Sequence, residues 1–174
     1  MVVLSDAMYR PDPRLEFGYS RVAYIVWIPL ETGGGKLVFA ETVLPQDMLE
    51  FFNSIRAKAT FITQAEAVGM AAAYFSPAIE ESLRGRDILH FADNRAANAG
   101  FINGYSRPQD TARIVSGCHM RWATLRVAPW IEFVKSEANA ADLPSRGEFG
   151  WLLRNQATRI EFVLPPYRRW DGTA

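Results

Sequence analysis

The strongest constraint on the fold lies between Tyr19 and Leu44, where two runs rich in β-branched and aromatic residues, "YSRVAYIVWIPL" and "KLVFAETVL", flank "ETGGGK". Such runs around a glycine turn predict a β-hairpin. A phosphate-binding P-loop would need Ser or Thr directly after the Lys of "GK", but Leu37 follows Lys36, so the turn reading holds. A third β-rich run, "VVLSDA" (Val2 to Ala7), precedes the hairpin and leads into a loop, "YRPDPR". After Pro45 the period becomes helical. "QDMLEFFNSIRAK" is a short amphipathic segment and "FITQAEAVGMAAAYFSPAIEESL" a longer Ala-rich one. "DILHFADN" is a strand, "RAANAGFING" a short helix stopped at Asn103-Gly104, and "PQDTARIVSGCHMRWATLR" a helix entered at a proline. "PWIEFVKS" is the next strand, and "ANAADLPSR" begins a last helix that tolerates Pro144 in its first turn. The order β-β-β-α-β-α-α-β-α predicts one α/β domain, a mixed sheet with helices on its faces. We set that domain at residues 1–147. Residues 148–174 are read as a C-terminal extension, packed on the domain or part of a linker, with one more β-like run, "RIEFVLPP", and a basic-aromatic end, "YRRW".

The 19 Lys and Arg residues balance the 19 Asp and Glu residues. That balance removes the broad cationic field of many nucleic-acid binders, so any contact with a polyanion must be local, through a patch or through metal ions. The single Cys118 has no disulfide partner and no Cys/His spacing suggests a zinc site, which points to a reducing compartment. The N-terminus lacks the pattern of a signal peptide, and no apolar run is long enough to span a bilayer. The expectation is an intracellular protein without membrane contact, cytoplasm and nucleus not being distinguished.

Four acids stand out against this pattern. In "VVLSDA", Val2, Leu4 and Asp6 share one face by the period of two, and in "ILHFAD" so do Leu89, Phe91 and Asp93. Each acid stands at the carboxyl end of its run, where ligand sites form in open α/β sheets, and the two would meet if the strands are neighbours. The alternative is that each merely ends its strand. Glu66 lies inside the apolar stripe of Ile62, Ala65, Gly69, Met70 and Ala73, where a carboxylate needs a cation or an arginine partner. The small neighbours would let this helix approach the sheet. Asp142 follows Asn139 at the spacing of a capping box, so helix-start structure is its alternative role.

Taken in order, these acids and the stretches "LSDA", "TQAEAVGMAAA", "HFADNRAANAGFINGYSR" and "FVKSEANAADLPSR" resemble the ribonuclease H family, and more narrowly the ribonuclease H-like domains that follow reverse transcriptases in retroelements. The resemblance implies a five-stranded mixed sheet flanked by helices, with a metal-binding tetrad at Asp6, Glu66, Asp93 and Asp142. It further implies two Mg²⁺ ions, replaceable by Mn²⁺, and hydrolysis of the RNA strand of an RNA–DNA hybrid. Asn94 is a candidate contact to the 2′-hydroxyl or backbone, with capping of the following helix as its alternative, and Asn139 is a second candidate substrate contact. The absence of polymerase motifs and the start close to the first strand suggest a piece of a longer retroelement protein or a domain separated from one.

Two features depart from the family pattern. Cellular members carry a His in the loop before the final Asp, whereas "KSEANAA" has none; His90 and His119 read as packing residues. A basic, Trp-bearing protrusion is matched only partly, by Arg121-Trp122 and by "YRRW". Among competitors, a 3′–5′ exonuclease would carry Asp-x-Glu where Asp6-Ala7-Met8 stands, and a transposase or integrase relative would end its acid series in Glu. An inactive ribonuclease H-like module that binds hybrid or supports a polymerase is the alternative from another class.

Overall fold

The computed structural model describes residues 1–56 and 61–167, without the side chains of 53–56. Ala57-Lys58 of the first expected helix and the Arg-Arg-Trp of "YRRW" lie outside the described residues. Strands β1 (Val2–Arg10), β2 (Tyr19–Pro29) and β3 (Gly35–Val43) form an antiparallel meander. The hairpin turns through Gly33 and Gly34 at φ +90° and +74°, a region that favours glycine. β4 (Asp87–Ala92) adds parallel to β1, and β5 (Ala128–Phe133) parallel to β4. A two-residue strand, β6 (Thr158–Arg159), pairs parallel to β3. The sheet order is β5-β4-β1-β2-β3-β6, six strands where five were expected. The sixth comes from residues after 147, which also supply Leu152 and Ala157 to a buried cluster and Ile160, Phe162, Leu164 and Tyr167 to the edge of the main core.

The strand period divides the apolar residues between two faces. Val3, Tyr24, Val26, Val38 and His90 point to one, which carries the larger core under helices α1 (Gln46–Arg56), α2 (Ile62–Phe75), α3 (Glu80–Leu83), α4 (Arg95–Asn103) and α5 (Gln109–Leu125). Leu4, Ile25 and Phe39 point to the other, where Ala141, beside α6 (Asp142–Ser145), and Leu152 of α7 (Gly150–Arg154) cover them.

Four elements differ from the sequence expectation. β1 does not stop after Asp6 but runs to Arg10, because β2 pairs with it along its whole length. The long Ala-rich helix breaks at Ser76-Pro77: proline forces its predecessor out of the helical region, and Ser76 sits at φ −76°, ψ 116°. α2 is buried on every side from Gln64 to Tyr74, not along one stripe, and Ile62 of the expected stripe is 36% exposed. Three consecutive alanines, Ala71 to Ala73, let sheet and helices close on it together. The helix expected to be the last, α6, is a single turn whose N-cap is Ala141, so the Asn139–Asp142 spacing makes no capping box, and α7 follows it.

Candidate metal centre

β1 and β4 pair only from Val2–Leu89 to Leu4–Phe91. Beyond that β1 continues along β2, while β4 ends at Ala92 and turns into α4, so the two parallel strands separate at their carboxyl ends. Carrying the register two residues further sets Asp6 level with Asp93. The turn is held by Asn98, whose side-chain amide donates to the Ala92 carbonyl at 3.0 Å, and by Asn94, whose Oδ1 accepts from the Ala96 and Ala97 amides at 3.1 and 3.0 Å. Asn94 therefore caps α4.

Glu66 reaches the same opening from α2. Gly69, one turn along, eases that approach: a Cβ there would stand 3.3 Å from the Asp6 carbonyl oxygen, a tight contact that would need helix or strand to give by a few tenths of an ångström. Carboxylate oxygens of Asp6, Glu66 and Asp93 all lie within 4.8 Å of one another. Asp6 and Glu66 are each 3% exposed. No arginine bridges them among the described residues, and Glu66 Oε2 is buried with no hydrogen-bond partner.

The electrostatics follow from this crowding. Burial, then the charges of Asp93 and Asp142, push the Asp6 carboxyl up to about 7, against a hydrogen bond from Ser145. Glu66 is driven well above the usual carboxylate range, first by burial and then by the charges of Asp6 and Asp93. Three converging hard oxygen donors with an orphaned buried oxygen fit a divalent cation of the Mg²⁺ type.

Asp142 stands apart from that cluster. Arg146 Nε donates to both its carboxylate oxygens, at 2.7 and 2.8 Å, although its charge still acts on Asp6 and Glu66. Asn139 is buried and committed within the fold: its Nδ2 donates to the Ser5 carbonyl at 2.9 Å and its Oδ1 accepts from the Ala141 amide at 3.2 Å. Its side chain is directed into the fold here, towards β1 and the start of α6. The two histidines pack. His90 is enclosed between Ser5 Oγ at 2.9 Å and Tyr74 Oη at 3.0 Å, with burial pushing it down to about 3, and His119 Nε2 donates to the Phe101 carbonyl at 2.8 Å.

Two contacts escaped sequence reasoning. The Ser136 hydroxyl donates to Asp93 Oδ2, and the Ser145 hydroxyl donates to Asp6 Oδ2 at 2.5 Å. Each joins positions far apart in the chain, and no local pattern marks them.

No protein-family profile and no curated protein sequence matches this chain. Solved structures do. Ribonuclease H1 of the archaeon Halobacterium salinarum superposes with a TM-score of 0.56 at 14% identity, over 80% of this chain and 89% of its own. The N-terminal ribonuclease H domain of a Mycobacterium tuberculosis protein, solved as a fusion with maltose-binding protein, gives 0.57 at 13%, over 90% and 99%. LC11-RNase H1, solved in complex with an RNA/DNA hybrid, gives 0.56 at 12%, over 87% and 98%. The chain thus has the ribonuclease H fold. No helix among the described residues is long and apolar enough to cross a membrane.

Proposed function

We propose that this protein is a metal-dependent endonuclease that hydrolyses the RNA strand of RNA–DNA hybrids. The observation that carries the reading is the convergence of Asp6, Glu66 and Asp93 at the opening between β1 and β4, with a buried, unpartnered oxygen on Glu66. The similarity in fold to ribonuclease H structures, one of them holding an RNA/DNA hybrid, supports the choice of substrate.

In this reading Asp6, Glu66 and Asp93 hold divalent ions, Mg²⁺ or Mn²⁺, and Asp142 completes the site for a second ion once it leaves Arg146. Bound there, the ions supply activation of the attacking water and neutralisation of charge at phosphorus and at the leaving oxygen. The protein's own groups fix where this happens. β1 holds Asp6, the turn just past β4 holds Asp93, and α2 holds Glu66. The exposed Arg95 and Lys135, neighbours in sequence of the groups at the site, attract the phosphodiester strand. Asn94 spends its oxygen on the helix cap, so its amide nitrogen is the end that meets a 2′-hydroxyl or backbone oxygen. The setting we infer is a retroelement protein in which a polymerase domain belongs to the same longer chain; "HFADNRAANAGFINGYSR" and "FVKSEANAADLPSR" support it.

A module that binds hybrid without cutting it is the second reading. The ion pair of Asp142 with Arg146, which keeps the fourth acid out of the cluster, favours it. One assay separates the two: labelled hybrid, duplex RNA, duplex DNA and single-stranded RNA, each with and without Mg²⁺ or Mn²⁺. Cleavage confined to the RNA of the hybrid is expected, with Asp93→Asn lowering it on the order of 10²-fold or more and Asp142→Asn by less. Hybrid binding without cleavage would select the second reading, and equal cutting of single-stranded RNA would refute the substrate assignment.

A further inference from the structure

The segment from Ser136 to Ser145 touches the acid cluster at both ends. Ser136 donates to Asp93, Ser145 donates to Asp6, and between them Asn139 is pinned to the carbonyl of Ser5, the residue before Asp6. Of the two serines, Ser145 is the buried one, with no solvent exposure at all. Its hydroxyl has a single proton and two acceptors in reach, Asp6 Oδ2 at 2.5 Å and the Asp142 carbonyl one turn back at 2.9 Å. The back-bond to Asp142 is the ordinary local habit of a serine in a helical turn. The contact to Asp6 is not local, spanning 139 positions of sequence, and its length falls in the ~2.5–2.7 Å range of a hydroxyl donating to a carboxylate. The hydroxyl therefore ties Asp6 Oδ2 to the turn that carries Asp142.

We propose that Ser145 is a positioning residue for Asp6: its hydroxyl occupies Oδ2 and fixes the carboxylate plane, so that Oδ1 is presented to the cation between Asp6, Glu66 and Asp93. Without it a buried carboxylate is free to rotate about its last bond and loses its only hydroxyl donor among the described residues. Removing an outer-shell partner of a metal ligand typically costs about 10–100-fold in metal affinity. The inference rests on the metal-site reading above, and it needs no substrate to test.

The experiment is a titration of the whole chain with Mn²⁺, with free Mn²⁺ read by electron paramagnetic resonance. Wild type, Ser145→Ala, Asp6→Asn and the double variant are compared, and melting curves confirm that each is folded. Ser145→Ala should raise the Mn²⁺ dissociation constant about tenfold or more. Once Asp6→Asn has removed the carboxylate that the hydroxyl holds, the same serine substitution should change the remaining affinity by less than about twofold. A wild type that binds Mn²⁺ while Ser145→Ala binds equally well would overturn the positioning role alone. An equal loss with and without the Asp6→Asn change would also overturn it, by making Ser145 a support of the segment as a whole. A wild type that binds no Mn²⁺ would overturn the metal-site reading and this inference together.

Discussion

Replacing Asp6 by Asn should make the metal-free protein more stable at pH 8 and not at pH 4. In the folded chain, burial and the neighbouring acids raise the Asp6 carboxyl from 3.8 to about 7. Between those two values the folded state holds a proton that the unfolded state has released. Stability is therefore lost as pH rises through that window, and the full loss is present above pH 7. A rise of about three pH units corresponds to about 4 kcal/mol at 1.36 kcal/mol per unit. An asparagine escapes that cost but must seat a buried amide, which takes back about 1–3 kcal/mol where a partner is missing. The net gain at pH 8 is about 1–3 kcal/mol, or about 3–10 °C in Tm for a chain of this length. The measurement is thermal unfolding in EDTA at pH 8 and pH 4, always as variant minus wild type so that titrating groups remote from the cluster cancel; relief of Glu66, which the Asp6 charge also raises, adds to the gain at pH 8. Millimolar Mn²⁺ should then reverse the ranking, because a hundredfold excess over Kd adds ~2.7 kcal/mol to a folded state that keeps the site. An Asp6→Asn variant less stable at pH 8, or shifted equally at both pH values, would refute the reasoning.

Gly69→Val should lower Tm by about 3–10 °C, since its Cβ would already stand 3.3 Å from the Asp6 carbonyl oxygen, two further methyl groups would crowd the helix against the sheet, and overpacking costs roughly 1–3 kcal/mol; calorimetry with no change in Tm would show that α2 can retreat from the sheet. His90 gives a pH effect of opposite sign to that of Asp6. Burial pushes the imidazole down to about 3, so below about 6.5 the unfolded chain takes up a proton that the folded chain refuses, and stability falls as pH drops through that window. His90→Phe should be less stable at neutral pH, with the Ser5 and Tyr74 hydroxyls left without their partner, and should lose less of its stability than wild type between pH 7 and pH 4 in urea unfolding; parallel pH profiles would refute this.

What was legible in the sequence was periodic or local. The period of two in "VVLSDA" and "ILHFAD" put Asp6 and Asp93 in line with Leu4 and Phe91, and the parallel pairing of β1 with β4 brings the two acids level. The glycine turn, the stop at Gly104 with φ +66°, and the break that Pro77 imposes all rest on single-residue conformational limits; the last of these was available to sequence reasoning and missed. The long-range pairings were not legible. The β-like run "RIEFVLPP" gives only Arg159 to a strand, because β6 is two residues paired to the edge of β3. The bond from Asn139 to Ser5 joins positions 134 apart, and the ion pair of Asp142 with Arg146 depends on how one turn of helix is placed, so no spacing in the sequence shows either.

Glu66 shows why the site was nevertheless the most readable part of the chain. Every described neighbour on α2 from Gln64 to Tyr74 is buried, and most are alanines or larger apolar residues that suit a helix enclosed on all sides. A carboxylate in that setting violates the rule that the rest of the helix obeys, and it does so one turn from Gly69, whose missing Cβ keeps the contact with the strand carrying Asp6 uncrowded. Folding alone gives no reason for that pair. Burial, Asp6 and Asp93 all disfavour the charge on Glu66, and no arginine among the described residues relieves it. Conflicts between local preference and global packing concentrate where a protein has work to do. The same conflict recurs at Asp6, on a strand otherwise filled by Val3, Ser5 and Ala7, and the two violations face each other across one gap. A cation that all three carboxylates can share removes both at once, which is the physical ground for reading the gap as a metal site rather than as a defect of packing.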